Sequence, residues 1–347
     1  MGLAVIIPCA LAAACLLAEL VGNQEFSRGC LRGLRWAIGA EFTLLIVLAL
    51  IGFAYEQRAH KQDAARFQPP GRLVEIGGYR LHLYCTGSGG PTVVLEHGHR
   101  ANYLDWYLVQ PQIAKFTRVC SFDRAGHGWS DASPKARVPS MMAEELHTLL
   151  HAAGELPPYI LVGHSFGGSE SVMFAHKFPG EVVGLVLVDS PHPDALRSAS
   201  SRERLWLRVI QLTMPFGLPR WRGWCSGGPK EISAIKQALA CSPQNFATIL
   251  REDAAFTASA NEVKAITDLG SVSLIVMARD PAIGRNAEAE ARHSQQQRDT
   301  ARLSTKSRVV IAEGSGHDVP LARPEVVAAS VKELIKLQAP AGSQGTP

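Results

Sequence analysis

The segment LVGHSFGG, residues 161–168, constrains this chain more than any other. An apolar run over residues 159–162 stops at Gly163, turns over His164 and Ser165, and resumes behind Gly167 in a helical pattern. A G-x-S-x-G turn between a strand and a helix lifts its serine hydroxyl clear of a sheet, towards a base able to remove the proton. Gly163 and Gly167 supply the absence of Cβ that so sharp a strand-to-helix approach needs. Ser165 is therefore the expected nucleophile.

A nucleophilic serine needs a base, a group that orients the base, and donors for the developing oxyanion. His317 is the expected base, because a β-branched strand over residues 308–312 runs into the Gly-Ser-Gly loop that carries it, ahead of a helix opened by proline. For the orienting acid, Asp280 ends SLIVMARD and Asp189 ends GLVLVD, both at the carboxyl ends of apolar strands where α/β sheets gather their functional groups. Asp280 is expected, since it precedes the histidine strand; Asp189 is the alternative, with turn or helix capping as its other use. The oxyanion donors are expected to be the backbone amides of Phe166 and of His99, with Arg100 second to His99.

GHSFGG, the HG of LEHGHR, SFDRAGHGWSD and GSGHDVPLARPE stand in the order found in the α/β-hydrolase superfamily, and the chain resembles its lipase, esterase and peroxidase-like branch over roughly residues 72–337. The resemblance implies Ser165 as nucleophile, Asp280 as acid, His317 as base and the amides of His99 and Phe166 as oxyanion hole, with no cofactor and no metal. It also implies that residues 123–130 shape the site without doing chemistry. Epoxide hydrolases and haloalkane dehalogenases of the superfamily carry aspartate at the position of Ser165 and HG-x-P where this chain has His97-Gly98-His99-Arg100. The expected reaction is cleavage of an ester-like bond through an acyl-enzyme. Carbon–carbon bond hydrolysis, cofactor-free peroxidation or a non-catalytic binding role on the same fold are the alternatives.

Extended patterns recur near residues 73–76, 79–85, 92–96, 118–122, 160–162, 185–188, 272–277 and 308–311, the first two joined at Gly77-Gly78 as a hairpin. The later ones are short apolar runs separated by helical stretches. That pattern predicts an α/β fold with a mostly parallel sheet of about eight strands and helices on both faces. The expected core is residues 72–190 and 266–338. A helical, aromatic-rich cap over residues 191–265 interrupts it, with Trp206, Met214, Phe216, Trp221 and Trp224 favouring an apolar small-molecule substrate. Contact between this cap and a membrane surface is a further reading, because Arg202, Arg204, Arg208, Arg220 and Arg222 border the apolar residues.

The first 57 residues differ in kind. Two apolar runs, residues 2–18 and 36–55, each approach the ~20 residues needed to cross a bilayer, and predict two transmembrane helices followed by a linker over residues 58–71. No lysine or arginine precedes the first run, as a cleaved signal peptide would require. Arg28, Arg32 and Arg35 precede the second run, so the expectation is a multi-pass protein of a bacterial-type inner membrane with its catalytic domain outward.

A formal charge of +4 with no basic, aromatic-interleaved stripe argues against a nucleic-acid partner. Seven cysteines predict no disulfide scaffold; Cys225 and Cys241 could pair, with buried or free thiols the simpler expectation. His147 and His151 have helical i, i+4 spacing, but Thr148 stands where a zinc hydrolase would need glutamate, so no metal site is expected. AGSQGTP at the C-terminus reads as a disordered tail.

Overall fold

The computed structural model describes residues 24–225 and 227–338. The first apolar run, residues 2–18, and the AGSQGTP tail lie outside the described residues.

Strands β1 (Arg72–Glu75), β2 (Arg80–Thr86), β3 (Thr92–Glu96), β4 (Val119–Phe122), β5 (Tyr159–His164), β6 (Val182–Val188), β7 (Ser273–Arg279) and β8 (Ser307–Ala312) form one sheet in the order β1-β2-β4-β3-β5-β6-β7-β8. Only β2 runs antiparallel to its neighbours β1 and β4; all other pairings are parallel. Gly77 and Gly78 make the β1–β2 hairpin with φ of 102° and 101°, a region that glycine alone enters freely.

Helices α1 (Gln24–Arg66), α2 (Pro139–Ala152), α3 (Phe166–Lys177), α4 (Ser201–Thr213), α5 (Ser233–Ala240), α6 (Pro243–Lys264), α7 (Ala287–Ala301) and α8 (Pro324–Gln338) complete the frame. Two cores result, one on each side of the sheet. Leu146 and Leu149 of α2, Phe174 of α3 and Ala301 of α7 pack with Leu161, Leu185 and Val276 on one face. On the other, Trp106 and Val331 of α8 pack with Val162, Val186 and Met277. Alternate residues of the same strands serve opposite faces, which is why β5, β6 and β7 read as unbroken apolar runs.

Helix α1 is one continuous helix that includes residues 58–66, expected to be linker. EQRAHKQDAAR is built from strong helix formers, and no helix breaker intervenes before Pro69-Pro70-Gly71. A window of its apolar stretch with mean hydropathy 2.3 has none of its residues buried. Beyond that stretch α1 meets the cap. Glu56 is buried and pairs with Arg220 at 3.1 Å, and Arg220 reaches Asp63 at 2.8 Å.

The cysteines depart from expectation. Cys85 of β2 and Cys120 of β4 are register partners across the antiparallel pair and are joined as a disulfide. Cys225 and Cys241 are joined within the cap. Pairing in the first case follows from strand register, which composition does not reveal. Non-reducing peptide mapping is expected to recover the 85–120 and 225–241 linked peptides; free thiols at these four positions would contradict the arrangement.

Candidate active site

Ser165 occupies the junction of β5 and α3 with φ 52° and ψ −126°, a strained conformation for a residue with a side chain. The flanking glycines are required sterically. A Cβ on Gly163 would lie 2.6 Å from both the Gly167 carbonyl oxygen and Gly168 Cα, and one on Gly167 would collide with the Glu96 carbonyl. Ser165 N donates to the Val188 carbonyl at 2.9 Å and its own carbonyl accepts from Gly168 N at 2.9 Å, so the turn is held from both sides.

His317 Nε2 lies 3.0 Å from Ser165 Oγ and its Nδ1 lies 2.6 Å from Asp189 Oδ2. The expectation for Asp280 is therefore corrected: Asp189 is the carboxylate against His317. Asp280 is engaged elsewhere, Oδ1 accepting from Ala282 N and Oδ2 from Gly314 N, each at 2.8 Å, while its own amide donates to Ser315. The physical reason is local. Pro281 opens a 3₁₀ turn that Asp280 caps, and the same carboxylate pins the start of the loop carrying His317. Asp280 thus braces the histidine loop without touching the ring.

Asp189, at the end of β6, also has a positive φ, 42°, and its carboxylate is fully buried. It collects four donors: His317, His293 Nε2 at 2.7 Å, Arg279 N at 3.1 Å and Arg279 Nη1 at 3.3 Å. Burial alone would raise the carboxyl, but the bonds from His293 and His317 hold it well below the usual carboxylate range. In return the hydrogen bond to Asp189 raises His317 above the ordinary histidine value, against the opposing effect of burial. His293 is a residue that sequence reasoning did not find. It sits within a polar helix, α7, and nothing in its neighbours distinguishes it from a solvated histidine.

The loop after β3 stands beside the serine. A Cβ on Gly98 would fall 3.2 Å from Ser165 Cβ, and Arg100 turns the chain with φ 63°. Phe166 opens α3, so its amide has no acceptor within the helix. The His99 ring is gripped by cap helix α6, Nδ1 at 2.9 Å from Glu252 and Nε2 at 3.0 Å from Asp253. Burial disfavours its charge, yet these carboxylates raise it above the usual histidine range.

Arg124, 1% exposed, clamps the same loop from below. It donates to the carbonyls of His97 at 2.5 Å and Gly98 at 2.9 Å, and to Glu252 of α6 at 3.2 Å. Glu170 of α3 faces it at 3.6 Å, and burial pushes that carboxyl up to about 7. His164 Nε2 lies 2.9 Å from the His317 carbonyl, tying the elbow to the histidine loop. His147 and His151 of α2 both face Glu181, at 3.0 and 3.4 Å.

A cavity of about 510 Å³ opens at Ser165 and His317. Its wall includes Arg197, Arg279, Arg292 and His293 with Pro191 and Ala195. Of the cap aromatics, Phe256 of α6 packs against His99 and Phe166 with ring centres 4.8 and 5.1 Å away, whereas Trp206 borders a neighbouring cavity with Arg100 and Arg197, Trp224 borders another, and Trp221 is exposed.

A parallel sheet with a strained serine at the end of its central strand, and a histidine arriving from the loop after the last strand, defines an α/β-hydrolase architecture. The sequence pattern of the alpha/beta hydrolase family matches residues 93–330, and the chain belongs to that family. It is 28% identical over 182 residues to the uncharacterized protein YbdG of Bacillus subtilis, covering 51% of this chain and 56% of that one. It is 37% identical over 123 residues to a 2-hydroxy-6-oxo-2,4-heptadienoate hydrolase of Pseudomonas putida, covering 34% and 44%. The chain spans about half the length of the curated relatives it matches first, 56%, 42% and 46%. Among solved structures an esterase of Thermogutta terrifontis superposes with a TM-score of 0.57 at 21% identity, covering 77% of this chain and 98% of that one, a likeness of fold.

Replacing the two aspartates separates their parts. Asp189→Asn is expected to lower kcat for a chromogenic ester by about 10³–10⁴-fold, as loss of the correct imidazole tautomer does. Asp280→Asn is expected to cost at most about 10²-fold, through loosening of the loop. Steady-state kinetics of the two folded variants checks the order.

Proposed function

We propose that the chain is a membrane-anchored serine hydrolase that cleaves an ester-like bond. Ser165 attacks the carbonyl, His317 takes its proton and returns it to the leaving group, and Asp189 holds the imidazole and stabilises its charged form. The amides of His99 and Phe166 receive the oxyanion. Water then attacks the acyl-enzyme with the same base. The observation that carries this reading is the connected series Ser165 Oγ, His317, Asp189 at 3.0 and 2.6 Å. The adjoining cavity is walled by Arg197, Arg279 and Arg292 together with Asp189 and Asp194, which gives the substrate a polar portion beside the apolar one that the cap composition suggested. Carbon–carbon hydrolysis is the second reading, favoured by the resemblance to the heptadienoate hydrolase, and would use the same residues.

For anchoring, the support is α1. Exposed Trp36 and Tyr55 bound its apolar stretch, 80% and 45% accessible, and 19 residues at 1.5 Å each separate them by about 28 Å, close to the ~30 Å of a hydrocarbon core. The buried Glu56–Arg220 pair makes α1 a packing partner of the folded domain, which favours an anchor over a removed leader. The 85–120 and 225–241 disulfides favour an oxidising compartment, hence an outward catalytic domain.

A fluorophosphonate probe is expected to label the membrane-extracted wild type, with labelling lost in folded Ser165→Ala and strongly reduced in His317→Ala; unlabelled folded wild type would overturn the reading. The base must be neutral, and Asp189 favours its protonated form, so kcat/KM is expected to rise with pH through a midpoint above the ordinary histidine value of about 6.5. A pH–rate profile flat from 5 to 8 would remove His317 from the role.

A further inference from the structure

Helix α4 carries two apolar faces. Leu207 is buried and Ile210 half-buried, and with Met214 just beyond the helix they form the side that packs inside the cap. Leu205, Val209 and Leu212 recur at i, i+4 and i+7 on another side, 65%, 41% and 72% exposed, with Trp206 beside them at 53%. The Trp206 ring lies 5.6 Å from that of Trp224, and the Arg222 guanidinium lies 5.8 Å from the ring centres of both Trp224 and Trp221, the last 70% exposed. A contiguous exposed apolar patch of this kind marks a contact surface.

The attachment of the cap to α1 identifies what covers it. A Cβ on Gly52 would collide with the Phe216 carbonyl, and Gly217, with φ 67°, fits against the Tyr55 ring. Gly52 lies three residues inside the end of the apolar stretch at Tyr55, about 4–5 Å along the axis at 1.5 Å per residue. A segment touching Gly52 therefore sits near the boundary between the headgroups and the acyl chains. Arg220, held by Glu56 and Asp63, fixes the cap at that level.

We propose that the exposed stripe of α4 and Trp221 lie in the headgroup layer of the bilayer that α1 crosses, so that the cap is docked on an anionic lipid surface. This rests on the anchoring reading given above. The charge fits: Arg202, Arg208 and Arg222 are exposed beside the stripe, and arginine with tryptophan is the composition of an interfacial helix face.

The test uses the full chain reconstituted in vesicles of phosphatidylcholine and phosphatidylglycerol, with phosphatidylcholine brominated at shallow or deep acyl positions as the quencher. In a Trp36→Phe background, tryptophan emission is expected to fall with shallow bromines and less with deep ones. The loss should disappear when Trp206→Phe, Trp221→Phe and Trp224→Phe are added. Emission of the Trp36→Phe protein that is equal in brominated and plain vesicles, while wild type is quenched by shallow bromines through Trp36 at the opposite interface, would overturn the proposal and leave the anchor standing, with a second copy or a protein as the cover. Quenching that survives all of these replacements would also overturn it. Absence of quenching in wild type would remove both the docking and the anchoring. Hydrolysis is not read in this experiment, so none of these outcomes bears on Ser165.

Discussion

A buried guanidinium must be paired, and the pairing of Arg124 organises the surroundings of Ser165. Its donors take two carbonyls of the loop after β3, a carboxylate of the cap helix α6 and the field of Glu170 on α3. Three separate pieces of chain are thereby held at one charge. Glu252 then passes the constraint on, because it also receives His127 and His99. The ring of His99 and the backbone of the neighbouring Gly98 are thus fixed by the cap on one side and by Arg124 on the other. The cap is in this sense part of the surroundings of Ser165.

Asp189 plays the corresponding part on the opposite side of the serine. Its strained backbone places a buried carboxylate where two imidazoles and Arg279 converge. A carboxylate that accepts several strong bonds stays ionised, and an ionised partner keeps His317 in the tautomer that points Nε2 at Ser165.

The elements legible in the sequence are those whose chemistry leaves a local trace. Ser165 was readable because its turn demands Gly163 and Gly167, and His317 because its loop follows the last strand. Strands β3 to β7 were readable because parallel strands buried on two faces become continuous apolar runs, and β1 and β2 because Gly77-Gly78 marks their hairpin. Asp189 and Asp280 each end such a run, and the difference between them lies in which carboxylate a backbone turn consumes. Pro281 and Gly314 decide that, and they are distant from Asp189 in sequence. His293 carries no local signal at all. Cys85 and Cys120 pair through strand register, and Glu56 meets Arg220 across 164 positions of chain. Such pairings belong to tertiary structure, where periodicity has nothing to say.

The Glu56–Arg220–Asp63 contact gives α1 a second nature. A helix of this length is usually regarded as a tether, separable from the domain that it carries. Here its last turns complete the interior of the lid, since Arg220 is almost wholly enclosed and both carboxylates facing it come from α1. A form of the protein cut after residue 66 would retain every residue around Ser165 and yet present an altered lid, with one cation left without its counterions. Helix α1 and the cap form one mechanical part, and a change in how the helix sits would be felt in the packing of the cap.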